Sequence, residues 1–448
     1  MAQLMISGSK ATNGRLQISG AKNAALPLMA ACLLTEKDVT LLNVPNISEV
    51  DSMKKQLEAF GVRVSGDGQT LVLNAKNAKS EPENGYNPTR GGFTVLGPLV
   101  ARFAEAKVLL PSGCQIGKSG RPINYHIKEL GKMGAKKFSP DNKNYVLLKA
   151  EGQLRHREDI SFENVSVGAT ENVMLAACLA NGTTVITNAA VEPEVINLVD
   201  MLKKMGASII VEVAKDKHHK NKITINGQTT KRKPLLSGNT THTVIPDRIE
   251  AGSYAIAAAI SGGPLLLKMD PNVGEIILSI VVKALEDAGV EATWKRNGLL
   301  VKRISGEINA VHITTGPYPK FPTDLLPQWV TFMTQAQGES RIEDTIYDNR
   351  FKHVKYLKEM GASLTKKSDG IYIVSGPTKL EGKRVKAEDL RGGFALILAG
   401  MAAAKGTTVL KNVEEVQRGY GSVKEKLVQC GAELEELAAT PPGHYGHS

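Results

Sequence analysis

Six times along this chain the last turn of an amphipathic helix runs into a glycine. The stretch Gln56-Leu-Glu-Ala-Phe-Gly61 recurs as Glu129-Leu-Gly-Lys-Met-Gly134 and Met201-Leu-Lys-Lys-Met-Gly206. It returns as Ala284-Leu-Glu-Asp-Ala-Gly289, Tyr356-Leu-Lys-Glu-Met-Gly361 and Lys426-Leu-Val-Gln-Cys-Gly431. Successive glycines lie 73, 72, 83, 72 and 70 residues apart, and the one long interval holds the run Lys215-Asp-Lys-His-His-Lys-Asn-Lys222, which reads as an inserted hairpin. A glycine at this place is a helix stop, and each is followed by an alternating strand such as Ala207-Ser-Ile-Ile-Val-Glu-Val213. Regular recurrence at this period marks a repeated supersecondary unit.

Upstream in every unit lies a second, Ala- and Leu-rich helix and then a β-branched strand, as in Ala25–Leu34 before Val39–Asn43. Small residues let such a helix pack closely and be buried on most sides. The unit is therefore helix, strand, helix, strand, strand. A chain of 448 residues exceeds one compact core, so six units divide naturally into two α/β domains of three.

The stretches that open the buried helices read Gly20-Ala-Lys22-Asn23, Thr89-Arg90, Ser166-Val-Gly168, Pro246-Asp247-Arg248, Pro322-Thr-Asp324 and Asp389-Leu-Arg391. Glycine, proline, Ser/Thr and Asp are helix-start residues. Each start offers backbone N–H groups and the positive end of a helix dipole, and Lys22, Arg90, Arg248 and Arg391 add cations there. Any one of them alone is an ordinary cap with a solvent-facing charge. Together they predict a site for a strongly anionic ligand.

A further candidate is the loop Leu110-Pro-Ser-Gly-Cys-Gln-Ile-Gly-Lys-Ser-Gly-Arg-Pro-Ile-Asn-Tyr-His126, which places the thiol of Cys114 beside Lys118 and Arg121. Fixed positive charge stabilises a thiolate, although a lone loop cysteine with no role fits equally well. Cys32, Cys178 and Cys430 stand far apart in apolar helical contexts, as reduced thiols of a cytoplasmic protein do. Nothing predicts a metal, because the nine histidines show no ligand spacing. His126 reads as a local hydrogen-bonding group rather than a base. The longest apolar run, near Phe394 to Ala404, is too short to span a membrane, and no signal pattern opens the chain. A net charge of +11 fits anionic metabolites. A nucleic-acid partner is not expected, since no aromatic residues interleave with the basic runs. Oligomeric state is left open.

Taken with these features, the chain resembles the enolpyruvyl transferases from Gly20 to Leu427. The most specific pieces are Ser19-Gly-Ala-Lys-Asn-Ala-Ala-Leu-Pro27, Leu96-Gly-Pro-Leu-Val-Ala-Arg-Phe103, Cys114-Gln-Ile-Gly and Ser166-Val-Gly-Ala-Thr170. Pro246-Asp-Arg-Ile-Glu250, Phe321-Pro-Thr-Asp324, Asn349-Arg-Phe351 and Arg418-Gly-Tyr420 add to it. The resemblance implies two inverted (inside-out) α/β barrel-like domains of three helix-strand repeats, with the active site in the cleft between them. Domain one would comprise residues 1–21 and 244–437, domain two residues 22–243 with the Cys114 loop, and 438–448 a flexible tail.

The resemblance also implies transfer of the 1-carboxyvinyl group of phosphoenolpyruvate to the 3-hydroxyl of UDP-N-acetylglucosamine, with no cofactor. This is the first committed step of peptidoglycan precursor synthesis. A different acceptor such as shikimate 3-phosphate, or binding of a nucleotide sugar without turnover, are the alternatives. Lys22 and Asn23 would meet phosphoenolpyruvate and the sugar, while Arg121, Arg391 and Arg418 would hold the phosphate and carboxylate. Arg90, Arg121, Pro122, Ile123, Asn124 and Tyr125 would contact the nucleotide sugar. So would Asn164, Val165, Ser166, Val167 and Gly168, with the backbone near Ile346 lining the sugar. Asp324 would act as base at the 3-hydroxyl and Cys114 as the proton donor to the methylene carbon. Asn124 stands where the family usually has aspartate, and Asn164 where it usually has lysine. After Arg90 the chain reads Gly-Gly-Phe rather than Ala-Ser, and the loop from Gly117 to Arg121 is two residues longer than the common form.

Overall fold

A computed structural model describes residues 3–8, 12–111, 123–140, 144–156, 158–216, 218–227, 235–304, 306–347 and 349–437. Cys114, Arg121, Pro122 and the segment 438–448 lie outside the described residues. Two compact units emerge, one continuous from Gly20 to Ile245 and one discontinuous, made of Met1–Ser19 and Pro246–Ser448. The chain crosses between them at 19/20 and 245/246, against the expected 21/22 and 243/244.

The repeat is visible in the elements. Six predominantly buried helical segments open the units: Lys22–Ala30, Leu96–Phe103, Val167–Ala177, Arg248–Ser261, Leu326–Met333 and Leu390–Met401. In the inserted unit Leu96–Phe103 packs against Val167–Ala177, and in the discontinuous unit the three buried helices pack against one another. Sheets lie outside the helices: Leu390–Met401 covers the strands Gln3–Ser7 and Thr407–Lys411, and Leu326–Met333 covers Gly338–Glu343 and Ile371–Gly376. An α/β unit with helices inside and sheets outside is the inverted arrangement expected. The small side chains permit it. A Cβ on Gly97 would stand 2.1 Å from the carbonyl oxygen of Asn172, so only glycine allows that helix crossing.

All six marker glycines adopt left-handed backbone, with φ of +82° at Gly61, +102° at Gly134, +93° at Gly206, +82° at Gly289, +102° at Gly361 and +90° at Gly431. This conformation turns the chain from helix into strand and is strained for any residue with a Cβ.

Among the described residues each unit carries three sheets, and five of the six have four strands; in the sheet ordered Thr240–Thr243, Asp38–Leu42, Leu71–Asn74, Arg63–Ser65 the first pairing is parallel and the other two antiparallel. The last sheet departs from the local pattern. Its order is Arg384–Lys386, Thr407–Lys411, Gln3–Ser7, Leu434–Leu437, so the N-terminal strand supplies the member that follows the second strand in the other repeats. Ile6 pairs with Thr408 on one side and Leu434 on the other. A buried ion pair fixes the following segment: Lys426 Nζ donates to Glu250 and, at 2.7 Å, to Ser19 Oγ, while Ser19 N donates to Glu250 Oε2 at 2.7 Å.

Candidate active site

Of the expected helix starts, Ser166, Asp247 and Asp389 cap their helices by side chain while Ala21 and Pro322 do not, and the chain supplies counterions to Lys22 and Arg391. In the discontinuous unit, Asp389 Oδ1 accepts from Arg391 N and Gly392 N, capping the helix Leu390–Met401. Asp247 caps Arg248–Ser261 in the same way, accepting from Ile249 N and Glu250 N. Arg391 is therefore carried on the first turn of a buried helix, where its guanidinium adds to the positive dipole end.

Its guanidinium reaches Asp324. Arg391 Nη2 donates to Asp324 Oδ2 at 2.9 Å, and Arg350 Nη2 donates to Asp324 Oδ1 at 2.8 Å. One carboxylate is thus held between two guanidiniums. Arg350 Nε donates to Thr323 Oγ1 at 3.1 Å, and Thr323 Oγ1 donates in turn to Asp344 Oδ2 at 2.6 Å. Asp344 Oδ1 accepts from Thr315 Oγ1 at 2.7 Å and from the Ile346 N–H at 2.9 Å, which orients the backbone near Ile346. Burial alone would depress the Arg391 pKa, but the charges of Asp324, Tyr420 and Asp247 more than offset it, so the group is held firmly cationic.

Beneath this cluster lies a polar junction of the buried helices. Gln328 Nε2 donates to Ser253 Oγ at 3.0 Å and to Tyr420 Oη at 2.8 Å, and the two hydroxyls are 2.8 Å apart. The Tyr420 ring stacks on Phe394 at 4.3 Å and faces the Arg391 guanidinium at 5.3 Å. Arg418, two residues earlier, is half-exposed and its Nη1 donates to Glu415 Oε2 at 2.8 Å. Behind Arg391, burial pushes the His353 imidazole down to about 4, against the opposing charge of Asp389.

The inserted unit repeats the theme with different residues. Lys22, the first residue of its helix, donates to Glu49 Oε2 at 3.0 Å, and both side chains are largely buried. Asn23 follows, half-buried. Ser166 caps the helix Val167–Ala177, its Oγ accepting from Ala169 N at 3.4 Å. Val165 and Val167 pack on the core while Asn164 and Asn124 are exposed. Ile123 is buried, and Tyr125 meets Phe162 edge to face at 6.3 Å. Arg90, exposed, precedes the short turn Gly91–Val95.

Two groups of expected residues are therefore each assembled within one unit: Asp324 with Arg391, and Lys22 with Asn23 at one helix start. Sequence reasoning assigned no role to Arg350, Asp344 or Glu49. Asn349-Arg-Phe351 was noted only for its resemblance, and nothing local marks Glu49, 27 residues from Lys22, as its partner. Among the described residues no group of His, Cys, Asp and Glu is placed to hold a metal, and no helix is long and apolar enough to cross a membrane.

Comparison with known proteins agrees with this architecture. Residues 6–427 match the family model of EPSP synthase (3-phosphoshikimate 1-carboxyvinyltransferase). A UDP-N-acetylglucosamine 1-carboxyvinyltransferase of Caulobacter sp. (strain K31) is 41% identical over 454 residues, covering 100% of both chains. One from Methylorubrum extorquens (strain PA1) is 40% identical, covering 98% of this chain and 100% of its own. Among solved structures, the enolpyruvyl transferase NikO from Streptomyces tendae superposes with a TM-score of 0.84 at 22% identity, covering 98% of this chain and 99% of NikO. EPSP synthase from Acinetobacter baumannii gives 0.73 at 18% identity, covering 98% and 100%, and these two likenesses speak to the fold. With a family model matched over nearly its whole length and full-length relatives at this identity, the chain belongs to the EPSP synthase family of enolpyruvyl transferases.

Proposed function

We propose that the protein transfers the 1-carboxyvinyl group of phosphoenolpyruvate to the 3-hydroxyl of UDP-N-acetylglucosamine and releases phosphate. The observation that carries this reading is end-to-end similarity at 41% identity to a relative bearing that activity in its name. Asp324, gripped by Arg350 and Arg391, supplies a physical account of how the reaction is armed.

A carboxylate held by two guanidiniums is a poor base. Phosphoenolpyruvate carries about three negative charges and competes for both guanidiniums by planar, two-pronged contacts. As they turn toward the substrate, the oxygens of Asp324 are released to take the proton of the 3-hydroxyl. The hydroxyl oxygen bonds to C2 of phosphoenolpyruvate while Cys114 delivers a proton to C3. In the second step C3 returns a proton to the Cys114 thiolate, the C2–O bond to phosphate breaks with its electron pair leaving on the phosphate, which takes up the proton held by Asp324, and the carboxyvinyl ether remains. Arg391, Arg121 and Arg418 stabilise the departing phosphate. Lys22 exchanges Glu49 for the substrate in the same manner. Ser166 to Gly168, Arg90, Ile123 to Tyr125, Asn164 and the backbone at Ile346 hold the nucleotide sugar. In a cell this reaction would commit the sugar nucleotide to peptidoglycan precursors in the cytoplasm.

The test is phosphate release from phosphoenolpyruvate with each acceptor in turn, before and after thiol alkylation. Release with UDP-N-acetylglucosamine that alkylation abolishes is expected. Release with shikimate 3-phosphate alone, or nucleotide-sugar binding without release, refutes the assignment.

A further inference from the structure

Asp344 follows the strand Gly338–Glu343, and its side chain is fully buried. A buried carboxylate needs donors on its oxygens, and here both oxygens have them. Oδ1 accepts from Thr315 Oγ1 at 2.7 Å, from the Ile346 N–H at 2.9 Å and from the Tyr347 N–H at 3.3 Å. The two backbone contacts form an Asx turn that leads the chain from the strand toward Arg350. Oδ2 accepts from Thr323 Oγ1 at 2.6 Å, and Arg350 Nε lies 3.9 Å from the same oxygen.

The direction of each bond follows from the groups that make it. A backbone N–H only donates, so Oδ1 must accept from the turn. An ionised carboxylate only accepts, so the hydroxyl proton of Thr323 points at Oδ2. The Thr323 lone pairs are then left for Arg350 Nε, which donates to them at 3.1 Å. Arg350 Nη2 reaches Asp324 Oδ1 at 2.8 Å, and the guanidinium lies over the Tyr347 ring at 4.9 Å. Thr323 and Tyr347, which hold the Nε and the face of this guanidinium, are therefore both bonded to Asp344. An asparagine could not do the same. With its oxygen kept on the turn N–H groups, its NH₂ would confront Thr323 Oγ1 and reverse that bond.

We infer that Asp344 is a positioning residue of the reaction and acts through two arms. Through Thr323 it fixes Arg350 Nε, so that only the Nη end passes from Asp324 to phosphoenolpyruvate, with Asp344 left beside it as counterion. Through the Ile346 N–H it fixes the backbone that lines the sugar. This rests on the function proposed above and adds to it one carboxylate that serves the contacts of both substrates.

Initial-rate kinetics separate the arms. Thr323→Val cuts the Oδ2 arm and is expected to raise the KM for phosphoenolpyruvate about tenfold, with the KM for UDP-N-acetylglucosamine within about twofold of native. Thr323→Ser keeps the hydroxyl and is expected to recover most of that loss. Asp344→Asn keeps the Oδ1 arm and is expected to behave as Thr323→Val does. The double variant Asp344→Asn/Thr323→Val should then lose little more than either alone, because both break one chain. Thr315→Val takes a donor from the Oδ1 arm and is expected to raise the sugar KM about fivefold, with the phosphoenolpyruvate KM within about twofold. A purely structural Asp344 would lower stability without separating the two KM values. Parallel changes in both constants, a serine no better than valine at 323, or multiplying losses in the double variant overturn the inference. If Asp344→Asn fails to fold, the Thr323 and Thr315 variants decide both arms. A readout apart from turnover is proton exchange at Arg350 Nε–H, followed by NMR on ¹⁵N-arginine protein with the signal assigned by its loss in Arg350→Lys. Slow exchange in the native protein and fast exchange in Thr323→Val are expected, and fast exchange in the native protein overturns the Thr323 arm. If the native protein releases no phosphate with UDP-N-acetylglucosamine, the functional reading fails, while the exchange measurement still decides whether Asp344 and Thr323 hold Arg350.

Discussion

Replacing Asp324 by asparagine removes one charge from a cluster in which two guanidiniums depend on it. The Arg350 and Arg391 side chains are 8% and 4% exposed and that of Asp324 is 22% exposed. Removing one member of a fully buried ion pair costs about 3–5 kcal/mol. Asparagine keeps one acceptor oxygen, and partial exposure screens the loss, so about 2–3 kcal/mol is expected here. At roughly 2–4 °C per kcal/mol for a body of this size, the melting temperature should drop by about 4–12 °C in anion-poor buffer. Inorganic phosphate should then reverse the effect. Phosphate at about a hundred times its Kd adds about 2.7 kcal/mol, and the variant, with two guanidiniums short of a carboxylate, binds phosphate more tightly than the native protein. Differential scanning fluorimetry across a phosphate titration reads both effects, and initial-rate assays should show turnover lower by about 10²–10⁴-fold from loss of the base. Equal melting temperatures without phosphate, or equal gains with it, would show that Asp324 is not the resident counterion of this pair.

Other perturbations follow from the same structure. Cys114→Ala should abolish turnover while leaving nucleotide-sugar affinity by calorimetry within about twofold, and Cys114→Asp should keep measurable turnover because it restores an acid; undiminished rates in the alanine variant would remove the thiol from the chemistry. Gly206→Ala should cost about 1–2 kcal/mol, because a Cβ there meets only Ser237 Oγ at 3.5 Å and the strain is conformational. Gly61→Ala should lower the melting temperature further, since its Cβ would stand 2.5 Å from the Asn77 carbonyl oxygen. His353, neutral in the folded state with its pKa down to about 4, takes up its proton more readily once unfolded. Its contribution is therefore full above about pH 6.5 and is lost as the medium is acidified toward pH 4, so His353→Gln should flatten the acid limb of a stability profile measured by urea unfolding.

The fold was legible where local chemistry repeats. Gly61, Gly134, Gly206, Gly289, Gly361 and Gly431 announce six helix stops because no other residue fits their backbone as readily. Asp247 and Asp389 announce helix starts because a carboxylate beside two free N–H groups has few better places. Pairings between elements were not legible. Arg350 reaches Asp324 from a turn 26 residues on, and the order of the strands decides that meeting. The five residues Gln3–Ser7 alternate in burial like any strand, and nothing in them names Thr407–Lys411 and Leu434–Leu437 as neighbours. His126 reads from the sequence as a local hydrogen-bonding group, yet the partner the fold gives it is Asn172, 46 residues away.

That N-terminal strand has a consequence for how the polypeptide is made on the ribosome. Residues 20–245 are contiguous and contain all their own sheet partners, so they can mature while translation continues. Gln3–Ser7 emerges first yet finds both its neighbours only after residue 437 has left the exit tunnel. An early strand must wait for a late one, and joining Leu437 to its register partner Gln3 by a short peptide while opening the chain in the Lys215–Lys222 connection is a permutation this topology should accept.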